Sequence, residues 1–569
     1  MNLKEQIRHS IPAAIVVVIG AWVMIYYSIV QWETMKPVPS WDLAIFSELA
    51  KAYAHFQTPI VPVKGDGYNL LGDHFHPILI LLGPIWRLFP TPLSLLITQD
   101  LLLAFSAWPL TRLASRLTNQ WVAGGLGLVY VLSWGMQGAV AAQFHEIAFA
   151  MPLLAYASVA FVERRWGAVT AWSAPLVLVK EDMGLTVLMI GVAVILTSAV
   201  PAWYRTCTVI RPGGRGADGL DAAGDAAGSA PQDDAARNRR RGLRLGVGMV
   251  VGGIAAFLFA IQVFLPAFNI NGVWDYGLSS QDQPTSPDAL TQKATVVVML
   301  ILTSGIVGVT SPWLLVVLPT LAWRFLGSVE FYWVWDNWHY NATLMPIALG
   351  ALLDVVARRR AHGSYVADRP VRQVGVDGRA VMGRSAQAAL AAGEAGEAGT
   401  AGESDVDGPR RRPTAFPTWL TVPMRHRFVV ATSILTAVAT GVLTAPYLPL
   451  WQATNKNFDP LAAEAKQSDE AKRTETHRVA VAHEVIATIP EGATVVTDLS
   501  LLAYLVPRAE VSWAGTSGPD KEYIVMTPTS ANQWGSSDAA AWGKKHSKQG
   551  ATYTLIYNKD NYQIAKRNG

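Results

Sequence analysis

Hydrophobic residues in this chain fall into long continuous runs, without the every-third-or-fourth spacing of a helix laid on a soluble core. Such runs occupy residues 11–30, 93–113, 121–136, 147–162, 168–179, 183–200, 245–265, 294–309, 312–325, 342–356 and 428–448. Several reach the roughly 20 residues that carry a helix across a bilayer. Residues 76–89 are apolar too, but short and interrupted by Pro84 and Arg87; they read as a helix lying along the membrane surface or dipping into it. After residue 449 the pattern changes. Residues 479–489 have helical periodicity, and 494–497, 510–513, 523–526 and 553–557 read as short strands. The expected fold is an α-helical polytopic membrane protein of about 11 transmembrane helices with a small C-terminal α/β domain.

Composition agrees with that class. Charged residues are 15% of the 569, against roughly 25% in soluble domains, and 51% are hydrophobic. The net charge of +4 is small, and the basic residues cluster in loops, which speaks of membrane topology and not of nucleic-acid binding. Lys4 and Arg8 precede the first run, so its N-terminus is expected in the cytoplasm, as an uncleaved signal-anchor. Arg112 and Arg116, Arg164 and Arg165, Arg239 to Arg241, and Arg358 to Arg360 then fall on the same side. The expected division is a transmembrane domain at 1–356, with an outer first loop at 31–92 and a cytoplasmic linker at 206–243. A low-complexity cytoplasmic stretch at 357–426 follows, then a last span at 427–448 and an extracytoplasmic domain at 449–569. A single cysteine, Cys207, excludes an internal disulfide framework. The chain has no Gly-rich phosphate loop, CxxC pair, HExxH or GxSxG motif.

Alternation places several polar clusters on the side opposite the arginines. Asp42, beside Trp41, is either a helix cap after Ser40 or a catalytic or substrate-binding carboxylate. Asp73, His74 and His76 are candidate ligands for a divalent cation, or they orient a loop before Pro77. His145 and Glu146 suit acid/base work or a structural pair. Lys180, Glu181 and Asp182 lie between two apolar runs. They either form a tight polar turn or face water, where the lysine holds a phosphate oxygen and the acids hold sugar hydroxyls or a cation. Asp336, His339 and Tyr340 lie in a Trp-rich segment suited to sugar stacking as well as to the membrane interface, and Arg324 is a candidate phosphate partner.

Trp41-Asp42-Leu43-Ala44-Ile45-Phe46 opens the series of motifs. Residues 72–86 (GDHFHPILILLGPIW), 144–149 (FHEIAF), 178–185 (LVKEDMGL) and 338–346 (WHYNATLMP) continue it. Together they resemble an uncharacterised bacterial and archaeal membrane family that is itself similar to the GT-C glycosyltransferases. The resemblance covers roughly residues 38–356 and, weakly, the tail. It implies that Asp42 stands where those enzymes carry a first-loop catalytic carboxylate, acting on a sugar carried by a polyprenyl-phosphate donor at the outer leaflet, with inversion. The paired acids of the mannosyltransferase-type group are absent here, since Leu43 follows Asp42 and the next acid is Glu48. The expected function is therefore transfer of a sugar to a cell-envelope acceptor, with membrane lipid as the surrounding partner. The alternatives are a transporter or flippase of a lipid-linked precursor, which expects midplane charges and inverted repeats, and a non-catalytic assembly protein. The oligomeric state is open.

Overall fold

A computed structural model describes residues 3–35, 41–199, 230–276, 287–327, 329–367, 373–374, 380–381, 422–453 and 469–569. The described chain is mostly helical, with a small C-terminal sheet. The principal helices are α1 (Leu3–Glu33), α2 (Trp41–Ala54), α3 (Pro92–Leu117), α4 (Gln120–Val131), α5 (Ala150–Val162), α6 (Trp166–Ser173) and α7 (Met183–Ala199). They continue with α8 (Ala230–Phe259), α9 (Leu344–Ala367), α10 (Val422–Thr444) and α11 (Asp469–Thr488).

Among the described residues, 5 helical stretches are long and apolar enough to cross a membrane: Leu3–Glu33, Pro92–Leu117, Asp234–Phe268, His339–Arg360 and His426–Tyr447. The other apolar stretches expected as spans are shorter helices of 10–17 residues, such as Trp166–Leu178 and Pro312–Leu326. Proline is the local reason in both. Pro175 and Pro312 start 3-10 turns, so each apolar run divides into a 3-10 piece and a short α-helix. The expected linker at 206–243 lies outside the described residues as far as 229. From Ala230 the chain is helical, which puts Arg239 to Arg241 on α8. Most of the stretch at 357–426 also lies outside the described residues.

Local chemistry sets several boundaries. Thr91 caps α3 by accepting from the Leu93 N–H, and Pro92 takes the first helical position, where no N–H is needed. The Asn119 side chain accepts from the backbone N–H groups of Trp121 and Val122, both at 3.0 Å, to start α4. Helices α7 and α8 pack through glycines. A Cβ on Gly184 would collide with the Gly253 carbonyl, and one on Gly191 with the Gly246 carbonyl, so the pair approaches backbone to backbone.

The sheet has strands β1 (Thr494–Thr497), β2 (Glu510–Trp513), β3 (Tyr523–Met526), β4 (Tyr553–Lys559) and β5 (Tyr562–Arg567), in the order β2-β1-β3-β5-β4. Strands β1, β2 and β3 run parallel, whereas β5 is antiparallel to both of its neighbours. Asp560 and Asn561 both take positive φ, the geometry of a tight two-residue hairpin between β4 and β5. The domain rests on the first loop. Tyr504 stacks on Trp32 at 4.1 Å and Trp513 packs against Trp41 at 4.9 Å. Lys51 donates to the carbonyls of Val506 and Ala509, and Thr516 to that of Val63.

The same helices carry two chemically different ends. The stretch His339–Arg360 starts at a histidine and finishes at arginines, a rise of roughly 33 Å for a straight helix. The helical segment Glu146–Val162 likewise leads to Glu163 and Arg164. Arg116 pairs with Glu163 at 2.5 Å, Arg164 with Asp354 at 2.7 Å, and Arg358 with the other oxygen of Asp354 at 3.2 Å. The arginines thus gather at one end and the acid and histidine clusters at the other.

Candidate functional site

At the end opposite the arginines lies a cavity of about 850 Å³. Its wall takes residues from the start of α2, the first loop, the turn before α5, the turn before α7, and the segment leading into α9. Asp42, Asp73, His74, His76, His145, Glu146, Lys180, Glu181, Asp182, His339 and Tyr340 all line it. Segments separated by up to several hundred residues are therefore brought together around one space.

Asp42 sits in the first turn of α2, where the helix dipole favours a carboxylate. Its side chain is 44% exposed, the most open of the cavity's ion-paired acids, and Oδ2 lies 3.6 Å from His145 Nε2. Burial pushes the carboxyl up, but the hydrogen bond and charge of His145 outweigh it and hold the pKa below the usual carboxylate value. His145 is fixed from behind. Its backbone N–H donates to Gln99 Oε1 at 2.9 Å, and Nδ1 stands 3.1 Å from the Gln143 carbonyl. A carbonyl only accepts, so Nδ1 carries the hydrogen of that contact, and Nε2 is the ring atom that faces Asp42. Gln143 adopts φ of 71°, a backbone conformation held by the Gln99 side chain, which donates to its carbonyl at 2.9 Å. The His145 ring stacks on His339 at 3.6 Å, and Phe46 meets His145 and His76 edge-on.

Three further ion pairs lie in the wall. Lys180 contacts Glu146 at 2.8 Å. Burial alone would lower its pKa, and Glu146, Glu181 and Asp182 together raise it well above the usual lysine value. His74 Nδ1 donates to Glu181 at 2.8 Å, and the other Glu181 oxygen accepts from the Phe75 N–H at 3.0 Å. Burial would lower His74, but the Glu181 charge wins and raises it. Asp73 accepts from Lys64 at 2.6 Å, Tyr68 at 2.8 Å and Tyr276 at 3.0 Å. Burial works against its charge, yet His74 and Lys64 bring its pKa down to about 2. Two groups go the other way. Burial pushes Asp182 up to about 6 and His76 down to about 4, so His76 is neutral at neutral pH.

Two expected site residues stand apart from the cavity wall. Arg324 is buried, but its guanidinium is spent on the aromatic segment: Nε donates to the Tyr332 carbonyl, Nη1 to the Tyr340 carbonyl and Nη2 to Asn341 Oδ1. It positions that segment and is not among the residues that line the cavity. Asp336 lies in the same segment, half-buried, outside the lining. The expected cation ligands also diverge, because Asp73 turns to Lys64, His74 to Glu181 and His76 to Phe46. Among the described residues, no group of three or more His, Cys, Asp or Glu side chains has the arrangement to hold a metal ion. Lys64, Tyr276 and Trp274, which the sequence did not single out as site residues, complete the wall.

Residues 38–374 match the family model described as predicted membrane protein, DUF2079. The match spans more than half of the chain. The chain belongs to the DUF2079 family. Every residue of the cavity wall falls inside the DUF2079 match, whereas the C-terminal sheet falls outside it. No curated protein matches the chain.

Proposed function

We propose that this DUF2079 protein is a GT-C-like membrane glycosyltransferase, moving a sugar from a polyprenyl-phosphate donor to a cell-envelope acceptor. In this reading the arginine end is cytoplasmic, and the cavity and C-terminal domain face outward. The observation that carries the reading is a set of polar atoms around Asp42. Among the described residues, Trp41 Nε1, Trp274 Nε1, His76 Nδ1, His339 Nδ1 and Asp182 Oδ1 are buried without a hydrogen-bond partner, and all five side chains line the cavity. Buried polar groups are normally satisfied. Indole N–H groups only donate and the ionised carboxylate oxygen only accepts, a mixture that suits a ligand rich in hydroxyls. Trp274, Trp323, Phe331 and Trp338 form an aromatic side of the same wall, which suits a sugar face or the first isoprene units of a lipid. An open cavity of this size also favours a ligand-binding role over a filled scaffold surface.

The acceptor hydroxyl gives its proton to Asp42 as its oxygen bonds to the anomeric carbon. The bond from that carbon to the phosphate oxygen breaks, and polyprenyl phosphate leaves with the electron pair. Asp42, whose side chain is 44% exposed, then passes the proton to solvent. Lys180 meets the developing phosphate charge with the ammonium donors that Glu146 does not use. The test is to incubate purified protein with polyprenyl-phosphate sugars and follow acceptor-dependent release of polyprenyl phosphate. Release is expected from the wild type and is expected to be lost in Asp42→Asn. Transfer that survives Asp42→Asn sinks the base assignment, and no release from any such donor sinks the reading.

A further inference from the structure

Helix α2 is apolar on nearly every side, and residues 43–50 are all buried. Glu48 and Lys51 are its only charged residues after Asp42. Three positions apart, they share one face of the helix. The C-terminal domain covers that face, and what it brings there is the edge of its sheet. Strand β2 is the outermost strand on this side. The Glu510 N–H donates inward, to the Ala493 carbonyl at 2.9 Å. Successive N–H groups of a strand turn to opposite sides, so that of Val511 turns outward. Glu48 receives it, together with the Val63 N–H, which donates to Oε2 at 3.3 Å. Lys51 donates to the carbonyls of Val506 and Ala509, at 2.7 and 2.9 Å, in the turn that leads into β2. The acid takes donors and the base takes acceptors, so α2 does for this edge what a neighbouring strand would do.

The acid half of this grip depends on a proton. Glu48 is 5% exposed. Burial pushes its pKa well above the ordinary glutamate value; the N–H groups of Val63 and Val511 and the charge of Lys51 pull the other way without offsetting it. Burial also lowers the pKa of Lys51, whose ammonium is spent on the two carbonyls. The other charged groups nearby do not neutralise Glu48. Glu510 of β2 opposes its charge, Lys64 of the first loop turns to Asp73, and Arg87, from the segment packed against α2, donates to the Ala54 carbonyl. The closed interface therefore prefers the neutral carboxyl, and an open one, with Glu48 in water, has no such preference. A carboxyl whose pKa is higher when docked strengthens docking below its ordinary pKa. That contribution is lost as the pH rises through the raised value.

We propose that Glu48 and Lys51 form a proton-operated latch between the C-terminal domain and the helix that carries Asp42, closed while the Glu48 carboxyl is neutral and released as it ionises. Release parts Trp513 from Trp41, a residue of the cavity wall next to Asp42, so the latch sets access to the cavity. It does not depend on the glycosyltransferase reading.

The test is hydrogen exchange of the full chain in detergent, read by mass spectrometry between about pH 5 and about pH 8 and corrected for the intrinsic rate. Each pKa unit between the closed and open states is a tenfold change in the latch equilibrium. In the wild type, protection of the Val63 and Val511 amides is expected to fall by about tenfold or more across this range, while the amides of β3 stay protected. Glu48→Gln, neutral at every pH, should keep the protection level. A wild-type profile that does not change with pH, a fall in Glu48→Gln equal to that of the wild type, or a loss that spreads to β3 each overturns the proposal. Where Glu48→Gln fails to fold, Glu48→Met, also neutral, gives the same reading: a fall equal to that of the wild type counts against the latch.

Discussion

The two ends of the helical domain are built from the same helices and meet the same physical demand in different ways. Charges next to a membrane must be paired or hydrogen-bonded. At the cavity end the pairs are Lys180 with Glu146, His74 with Glu181 and Lys64 with Asp73, which leaves Asp42 half-open and Asp182 with an unpaired oxygen. At the arginine end Asp354 and Glu163 take up Arg164, Arg358, Arg116 and Arg165. Pairing explains how each end is stable. What pairing leaves over at the cavity end, the half-open Asp42 and one oxygen of Asp182, decides what that end can bind.

The largest effect is expected where the pairing itself is broken. Asp354 is fully buried and accepts from Arg164, Arg358 and the Ser311 hydroxyl. Asp354→Ala should lower stability by about 3–5 kcal/mol, because it strands a buried guanidinium; the thermal midpoint in detergent measures this. A shift within error would mean that the arginine end is not held by this network.

Asp182 gives a smaller, pH-dependent effect. Its folded pKa of about 6 lies above the ordinary aspartate value, because burial disfavours the charge. Its favourable contribution is therefore complete below about pH 4 and is lost as the pH rises through about 6. Asp182→Asn should be more stable than the wild type at pH 8, by on the order of 2 kcal/mol, with the difference vanishing near pH 4. A pH-independent difference would show that Asp182 already has a partner. The smallest effect is expected at the domain contact. Lys521 pairs with the exposed Asp66 at 2.7 Å, and Lys521→Ala should change stability by less than about 1 kcal/mol. A larger loss would make the C-terminal domain an integral wall of the cavity end.

Much of the cavity could be read from the chain. Ionisable residues at the ends of apolar runs had to meet water or each other, and alternation of the runs placed Asp42, His145, Glu146, Lys180, Glu181 and His339 together. The direction of Arg324 was not legible for a local reason: whether a guanidinium faces a cavity or its own loop depends on the path of the loop carbonyls, and residues 332–341 fold back onto it. Lys64 and Tyr276 carry no sequence signal, since their place depends on the first loop meeting the chain beyond α8 at Asp73. The strands β1 to β4 were visible as β-branched and aromatic runs, whereas β5, with Gln563, Lys566 and Arg567, was too polar to stand out.

The central claim is that the carboxylate left half-open at the cavity end does the chemistry and that the arginine end does not. Release of polyprenyl phosphate from a polyprenyl-phosphate sugar, measured side by side for the wild type, Asp42→Asn and Arg359→Gln/Arg427→Gln in detergent, tests it most directly. The account predicts a loss of roughly 10²–10⁴-fold in Asp42→Asn and a rate close to that of the wild type in the arginine variant. Equal rates in the wild type and Asp42→Asn, or a loss confined to the arginine variant, would contradict it.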